Sequence, residues 1–299
     1  MNIIEIFQSF QTQEQAIEHL EKVRWGGEPH CPYCGSVSVG RHASADRNMA
    51  RWQCRDCTRA FAVTVGTLFH GTHIPLRNWF LVLALMLNAK KSASAYQISR
   101  DLGMRRATVW SIMHRIRTAM ATDAEQEELL FGIVEADETY VGGKPRKRNN
   151  RDDDTPRKRG RGTKKVPVIG AVERGGRVVA RVANPGDLSA KGIGNFIARF
   201  IDSAGTVLIT DEYKGYNRVC LSMHHAVICH AESYADGPIH TNSIEGFWAT
   251  IKRAWYGTHH HYSRKYMPLY IAEACYKYNR RDSATAFADS MRAFVGAAA

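Results

Sequence analysis

A chain of 299 residues, 44% hydrophobic and 23% charged, carries enough apolar material for packed cores, which excludes wholesale disorder and fibrous repeats and suggests about two domains. Its 41 basic against 29 acidic residues leave a net charge of +12, which points to a polyanionic partner and says nothing about fold. The longest apolar run, the nine residues from Trp79 to Leu87, is too short for a bilayer span, and the first ten residues hold Glu5 and no basic leader, so no membrane partner and a reducing cytoplasm are expected.

From the N-terminus, Thr12 to Arg24 places Ala16, Ile17, Leu20 and Val23 on one face and predicts an amphipathic helix. Cys31-Pro-Tyr-Cys34 and Cys54-Arg-Asp-Cys57 follow, separated by nineteen residues, in a stretch whose Trp52 and Phe61-Ala-Val-Thr-Val predict short β-hairpins with the cysteine pairs at their tips. Two such pairs offer four thiolates to one tetrahedral ion, so Cys31, Cys34, Cys54 and Cys57 are the candidate ligands of a structural Zn²⁺. A redox reading would need a thioredoxin-like βαβ unit around the pair, which the pattern lacks. Cys220, Cys229 and Cys275 have no comparable spacing and read as buried thiols.

Residues 1–70 are therefore read as an N-terminal helix and zinc ribbon, and 71–124 as a helical DNA-binding region. Within the latter, Ser92 to Met104 reads as a helix closed by the turn Leu102-Gly103-Met104, and a second helix begins near Ala107. On that second helix Val109, Ile112, Met113 and Ile116 form the inward face, leaving Arg105, Arg106, Thr108, Ser111, His114, Arg115 and Arg117 outward. This is the division of a helix-turn-helix recognition helix, with an ordinary solvated helical hairpin as the plainer alternative. Arg105, Arg106, Thr108 and Arg115 are the candidate DNA contacts.

After an acidic hinge around 125–128 the pattern changes to strands alternating with helices, an α/β arrangement covering 125–299. Strands are predicted over 131–137, 166–173, 178–183, 206–211 and 225–229. Ile193, Phe196, Ile197, Phe200 and Ile201 mark a helix between the third and fourth, and two more helices cover 242–255 and 269–280. The segment 144–165 stands apart, with eleven Lys or Arg and three Asp among 22 residues, a net of +8. Lys144, Arg146, Lys147, Arg148, Arg157, Lys158, Arg159 and Arg161 make it a candidate nonspecific phosphate contact, against the alternative of a merely solvated loop.

Carboxylates supply the chemistry. Strand alternation puts Ile133, Glu135 and Asp137 on one face, with Asp137 near the strand's end, and Asp211 closes the apolar run Thr206 to Thr210. His240-Thr-Asn-Ser-Ile-Glu245-Gly-Phe-Trp begins a helix on which Glu245 and Lys252, seven apart, share a face. Two strand-end aspartates and a helix-borne glutamate can hold two Mg²⁺ or Mn²⁺ ions, the hard-cation arrangement that drives in-line phosphoryl displacement. Each acid alone would read as a cap or turn carboxylate.

These motifs together, with Thr64-Val-Gly-Thr, Glu135-Ala-Asp-Glu-Thr-Tyr-Val-Gly-Gly143, Gly170-Ala-Val-Glu-Arg-Gly-Gly176, Thr210-Asp-Glu-Tyr and Tyr278-Asn-Arg-Arg281, resemble a bacterial DDE-type insertion-sequence transposase with an amino-terminal zinc ribbon and a ribonuclease H-like (ISXO2-like) catalytic domain. The resemblance implies that Asp137, Asp211 and Glu245 hold the catalytic metals, with Asn242 in reserve for the third position, and that Lys252 touches DNA phosphate. It further implies cleavage at transposon inverted-repeat ends, strand transfer into target double-stranded DNA, a homodimer or larger assembly on DNA, and a bacterial, nucleoid-associated setting. A catalytically inactive DNA-binding regulator and a metal-dependent nuclease that joins nothing are the rival readings.

Overall fold

The computed structural model describes residues 3–42, 51–123, 128–142, 165–217, 223–229 and 239–296. They fall into two compact units, residues 1–125 with 280–299, and residues 126–279. The basic segment 143–164 and Cys220 lie outside the described residues, and with them every candidate phosphate contact from Lys144 to Arg161.

In the first unit a short helix α1 (Ile3–Ser9) precedes α2 (Gln13–Trp25). Thr12 starts α2 by a reciprocal cap, its Oγ1 accepting the Gln15 N–H at 3.3 Å while Gln15 Oε1 accepts the Thr12 N–H at 3.0 Å. Gly26, in the left-handed region at φ +63°, ends it by donating its N–H to the Lys22 carbonyl, a turn that a Cβ would strain. Strands β1 (Val39–Arg41), β2 (Arg51–Cys54) and β3 (Ala60–Ala62) make an antiparallel sheet in that order. The predicted helical stretch then divides into α3 (Leu76–Asn88), α4 (Ala95–Asp101) and α5 (Arg106–Asp123), with Ser94 capping α4. Trp79, Phe80 and six other residues of α3 are buried, so α3 is apolar nearly all round, as a central helix must be.

In the second unit β4 (Ile133–Val141), β5 (Val166–Glu173) and β6 (Val178–Val182) form an antiparallel meander, and after α6 (Ala190–Phe200) come β7 (Val207–Asp211) and β8 (His224–Ile228). The sheet order is β6-β5-β4-β7-β8, with β7 parallel to β4 and β8 parallel to β7, the mixed sheet of a ribonuclease H-like fold. Helices α7 (Asn242–Arg253) and α8 (Met267–Asn279) follow. One face of the sheet packs Val134, Ala136 and Leu208 against Ile193, Phe196 and Ile197 of α6. The other packs Val168, Val172 and Val178 against Phe247, Trp248 and Ile251 of α7 and Ile271 of α8. Because helices cover both faces, β5 is buried from Val166 to Val172, a run without alternation. Burying a side chain such as Phe247 contributes about 2 kcal/mol to the layer.

Strand β4 runs four residues past the predicted end at Asp137, because its pairing with β5 continues to Val141 opposite Val166. The last helix, α9 (Ala286–Gly296), belongs to the first unit although sequence division grouped 280–299 with the α/β domain. The physical reason is its apolar stripe: Phe287 meets Phe10 and Phe80 at ring distances of 6.4 and 6.0 Å, and the Phe294 carbonyl accepts the Leu68 N–H at 3.1 Å. Arg280 adds an ion pair to Asp123 at 2.6 Å. Among the described residues no helix is long and apolar enough to cross a membrane.

Candidate active site and metal centre

The first candidate centre is the cysteine cluster. Antiparallel pairing of Val39 with Cys54 brings the hairpin tips together, and the four Sγ atoms of Cys31, Cys34, Cys54 and Cys57 lie within 4.8 Å of one another. Cys31 to Cys57 and Cys34 to Cys54 are each 3.6 Å apart. A tetrahedron of thiolates around zinc has sulfur–sulfur edges of about 3.8 Å, so these four residues fit that ion. The Cys57 N–H donates to Cys54 Sγ at 3.5 Å, and among these neighbouring thiols that of Cys54 is held down while that of Cys34 is pushed up.

The second centre lies on the α/β sheet. Parallel register pairs Ile133 with Val207, Val134 with Leu208 and Glu135 with Ile209, an offset that carries Asp211 to the level of Asp137. Burial, then the charges of Asp211 and Glu138, pushes the Asp137 carboxyl up to about 7. Asp137 Oδ1 accepts the Glu138 N–H at 2.7 Å and its Oδ2 accepts the Trp248 indole N–H at 3.0 Å. Asp211 Oδ1 accepts the Tyr213 N–H at 3.0 Å. Trp248 reaches Asp137 across Gly170, which pairs with Asp137 on β5. A Cβ at Gly170 would meet the indole at 2.6 Å, so the strand is glycine where the ring crosses it.

Glu245 sits in the first turn of α7, exposed, and accepts from Thr241 Oγ1 at 3.1 Å. Lys252 is exposed two turns further along the same helix, and Asn242 is exposed at its start. Among the described residues only the cysteines close to within 4.8 Å as a group of three or more ligating side chains; Asp137, Asp211 and Glu245 are not drawn that tightly together. A pair of ions about 4 Å apart needs ligands spread more widely than one ion does. Oxygen donors on two adjacent strands and an overlying helix suit hard cations, and an aspartate raised in part by its neighbour's charge is stabilised by one.

Two residues near the site were not assigned a role from sequence. Tyr216 is fully buried, and burial with the charges of Glu138, Asp137 and Asp211 pushes its phenol well above the usual range. Glu135 is also fully buried, and its carboxylate takes the N–H groups of Ser243 and Ile244 at 2.8 and 3.1 Å. Alternation identified the face on which Glu135 lies, yet nothing local names its donors, which come from 108 and 109 residues away.

Arg105, just before α5, and Arg106, its first residue, are exposed, and Thr108 is half-buried. Three side chains expected outward are not. Arg115 donates to the carbonyls of Leu68 and of His70, the latter at 3.0 Å, and lies over the Trp79 ring at 5.0 Å. His114 and Arg117 are buried. The reason is that α5 is covered on more than one side, by α3 and α4 and by residues 68–70, so its solvent face is narrower than its apolar stripe implies.

Comparison with known proteins gives two family matches: an ISXO2-like transposase domain over residues 129–279, just over half of the chain, and a transposase zinc-ribbon domain over residues 11–60. A Halobacterium salinarum relative named as an uncharacterized protein in transposable element ISH50 is 28% identical over 277 residues, 88% of this chain and 90% of the relative. Among solved structures, the Mos1 strand transfer complex covers 72% of this chain and 73% of its own at 13% identity, with a TM-score of 0.32. The Mos1 transposase paired-end complex with left transposon end covers 71% and 78% at 13% identity, with a TM-score of 0.28.

Proposed function

The chain belongs to the ISXO2-like transposase family, and from that premise we propose that it binds transposon ends and cuts and joins DNA strands at the carboxylate site of its α/β unit. The observation that carries the reading is the pairing of β4 with β7, which sets Asp137 beside Asp211 under the helix that bears Glu245 and Lys252. Asp137, Asp211 and Glu245 would hold two Mg²⁺ or Mn²⁺ ions, whose chemistry is to activate an attacking oxygen and stabilise a leaving one. Trp248 orients the Asp137 carboxylate through its indole N–H and covers one side of it. Lys252, exposed on α7, reaches toward a DNA phosphate near the scissile bond.

In the first step a water oxygen displaces the 3′-oxygen of the transposon end from phosphorus, leaving a 5′-phosphate and a free 3′-hydroxyl. In the second that hydroxyl displaces the 3′-oxygen of a target phosphodiester, so one bond forms for each that breaks. Arg105 and Arg106, with the basic segment 144–165, supply phosphate contacts, and the four cysteines hold structural zinc. Because two ends are cut together, the active form is a homodimer or larger on DNA.

The test uses end DNA flanking the gene and a target plasmid, with Mg²⁺, comparing the protein with Asp211→Asn. Wild type should cut at inverted repeats and join the ends, while the variant loses both by about 10²- to 10³-fold and still binds DNA. Cutting without joining would turn the reading to a nuclease, and specific binding with no metal-dependent chemistry to a DNA-binding regulator.

A further inference from the structure

Asp137 and Glu135 are two residues apart on one face of β4, so they stand about 7 Å from each other along the strand. Four residues of α7, from Ile244 to Trp248, cover about 6 Å along its axis. The strand and helix therefore offer contacts at matching intervals, and both are made. Asp137 takes the Trp248 indole N–H at 3.0 Å. Glu135 takes the backbone N–H groups of Ser243 and Ile244 at 2.8 and 3.1 Å and the Ser243 hydroxyl at 3.0 Å.

The second contact is the more strongly built. A carboxylate on the first amides of a helix meets donors that have no partner inside the helix and the positive end of its dipole. Arg174, from the turn after β5, gives Glu135 its Nε–H at 2.6 Å. The same guanidinium donates to the His240 carbonyl at 2.8 Å and meets His240 Nδ1 at 3.0 Å, fixing the residues that lead into α7. The Arg174 N–H itself bonds the Ile133 carbonyl at 3.0 Å, so the arginine is anchored to the strand that carries Glu135.

We propose that Glu135 is a positioning residue: with Arg174 it locks the start of α7 onto β4 and so sets where Glu245 stands relative to Asp137 and Asp211. Glu245 lies between the two points of attachment, one residue past Ile244 and three before Trp248. A helix turns about 100° per residue, so a slip of one residue at its start would swing Glu245 away from the aspartates. The apolar face of α7 (Phe247, Trp248, Ile251) holds the helix against the sheet, and the Glu135 contacts add the polar fix at its first turn. The lock makes no contact with DNA in this scheme, and its effect on chemistry runs through Glu245 and Trp248. The inference rests on the reading of Asp137, Asp211 and Glu245 as the metal-holding set.

The experiment compares the full chain with Glu135→Gln and, as a control, Glu273→Gln, which alters a buried pair to Lys277 on α8. The readouts are hydrogen exchange of the Trp248 indole N–H, Mn²⁺ binding by calorimetry, and cleavage of end DNA. In Glu135→Gln the indole exchanges faster, Mn²⁺ affinity and cleavage fall roughly 10- to 100-fold, and end-DNA affinity stays within about twofold of wild type. The control loses thermal stability with indole exchange and Mn²⁺ affinity unchanged. Protected exchange and normal Mn²⁺ affinity in Glu135→Gln overturn the proposal, as does an equal loss in the control. If Glu135→Gln does not fold, Ser243→Ala and Arg174→Lys each loosen one side of the lock and should show smaller shifts of the same sign; no shift in either overturns it. A wild type that cuts no DNA refutes the functional reading, while exchange at Trp248 and Mn²⁺ binding still decide the role of Glu135.

Discussion

The cysteine cluster and the carboxylate site are both ligand sets, but they stand on different foundations. The ribbon's strands are three or four residues long, and Cys31 and Cys54 are themselves part of what little it buries. The carboxylate site rests on a five-stranded sheet with a hydrophobic layer on each face. A small module buries too little apolar surface to offset chain entropy, so a ribbon of that size is expected to depend on an ion held by its four thiols. The α/β unit folds around its own core and holds its acids together at an energetic cost that cations relieve. On the proposed reading, one metal builds structure and the other serves chemistry.

The largest effect that would break this contrast is in the ribbon. Cys54→Ser should abolish stoichiometric zinc and unfold residues 31–60, read as lost zinc by elemental analysis and rapid proteolysis of that stretch. Unchanged zinc content would show that the four thiols do not act as one site.

A smaller effect sharpens the contrast on the other side. The Asp137 carboxyl rises from an ordinary 3.8 to about 7 on folding, chiefly through burial. Between those values the folded metal-free protein keeps a proton that the unfolded chain has released, so its stability falls as pH climbs from about 4 to about 7. Asp137→Asn should flatten that slope and raise the metal-free melting temperature at pH 8, whereas Cys54→Ser lowers it. A variant with the wild-type slope would mean that Asp137 is an ordinary acid.

The smallest effect concerns binding. Arg106→Ala, at the exposed start of α5, should reduce the slope of log affinity against log salt by about one while leaving the fold intact. Arg115→Ala should instead lower stability, since Arg115 serves the backbone of residues 68–70. Equal salt slopes in wild type and Arg106→Ala would remove α5 from the DNA-facing surface.

Much of this could be read from the residues. The cap at Thr12, the spacing of the cysteine pairs, the apolar run of α3 and the acids of β4 and β7 are local signals, and each of these elements formed at its signal, β4 running on past Asp137. His114, Arg115 and Arg117 were misread because helical periodicity marks the strongest apolar stripe and not how many neighbours surround the helix. The last helix went unnoticed, although Phe287, Met291 and Phe294 recur at helical spacing, because an eleven-residue stripe has no meaning until Phe10 and Phe80 are there to receive it.

The sequence by itself determined which groups this protein owns and at what local spacing: four thiols in two pairs, a basic excess, acids placed after apolar runs. Only the tertiary structure decided that β4 lies between β5 and β7, so that Asp137 meets Asp211 and Glu135 receives the start of a helix more than a hundred residues away. The physical reason is range. A turn or a cap is chosen by neighbours a few bonds apart, whereas the partner of a strand is chosen by burial and register summed over the whole sheet.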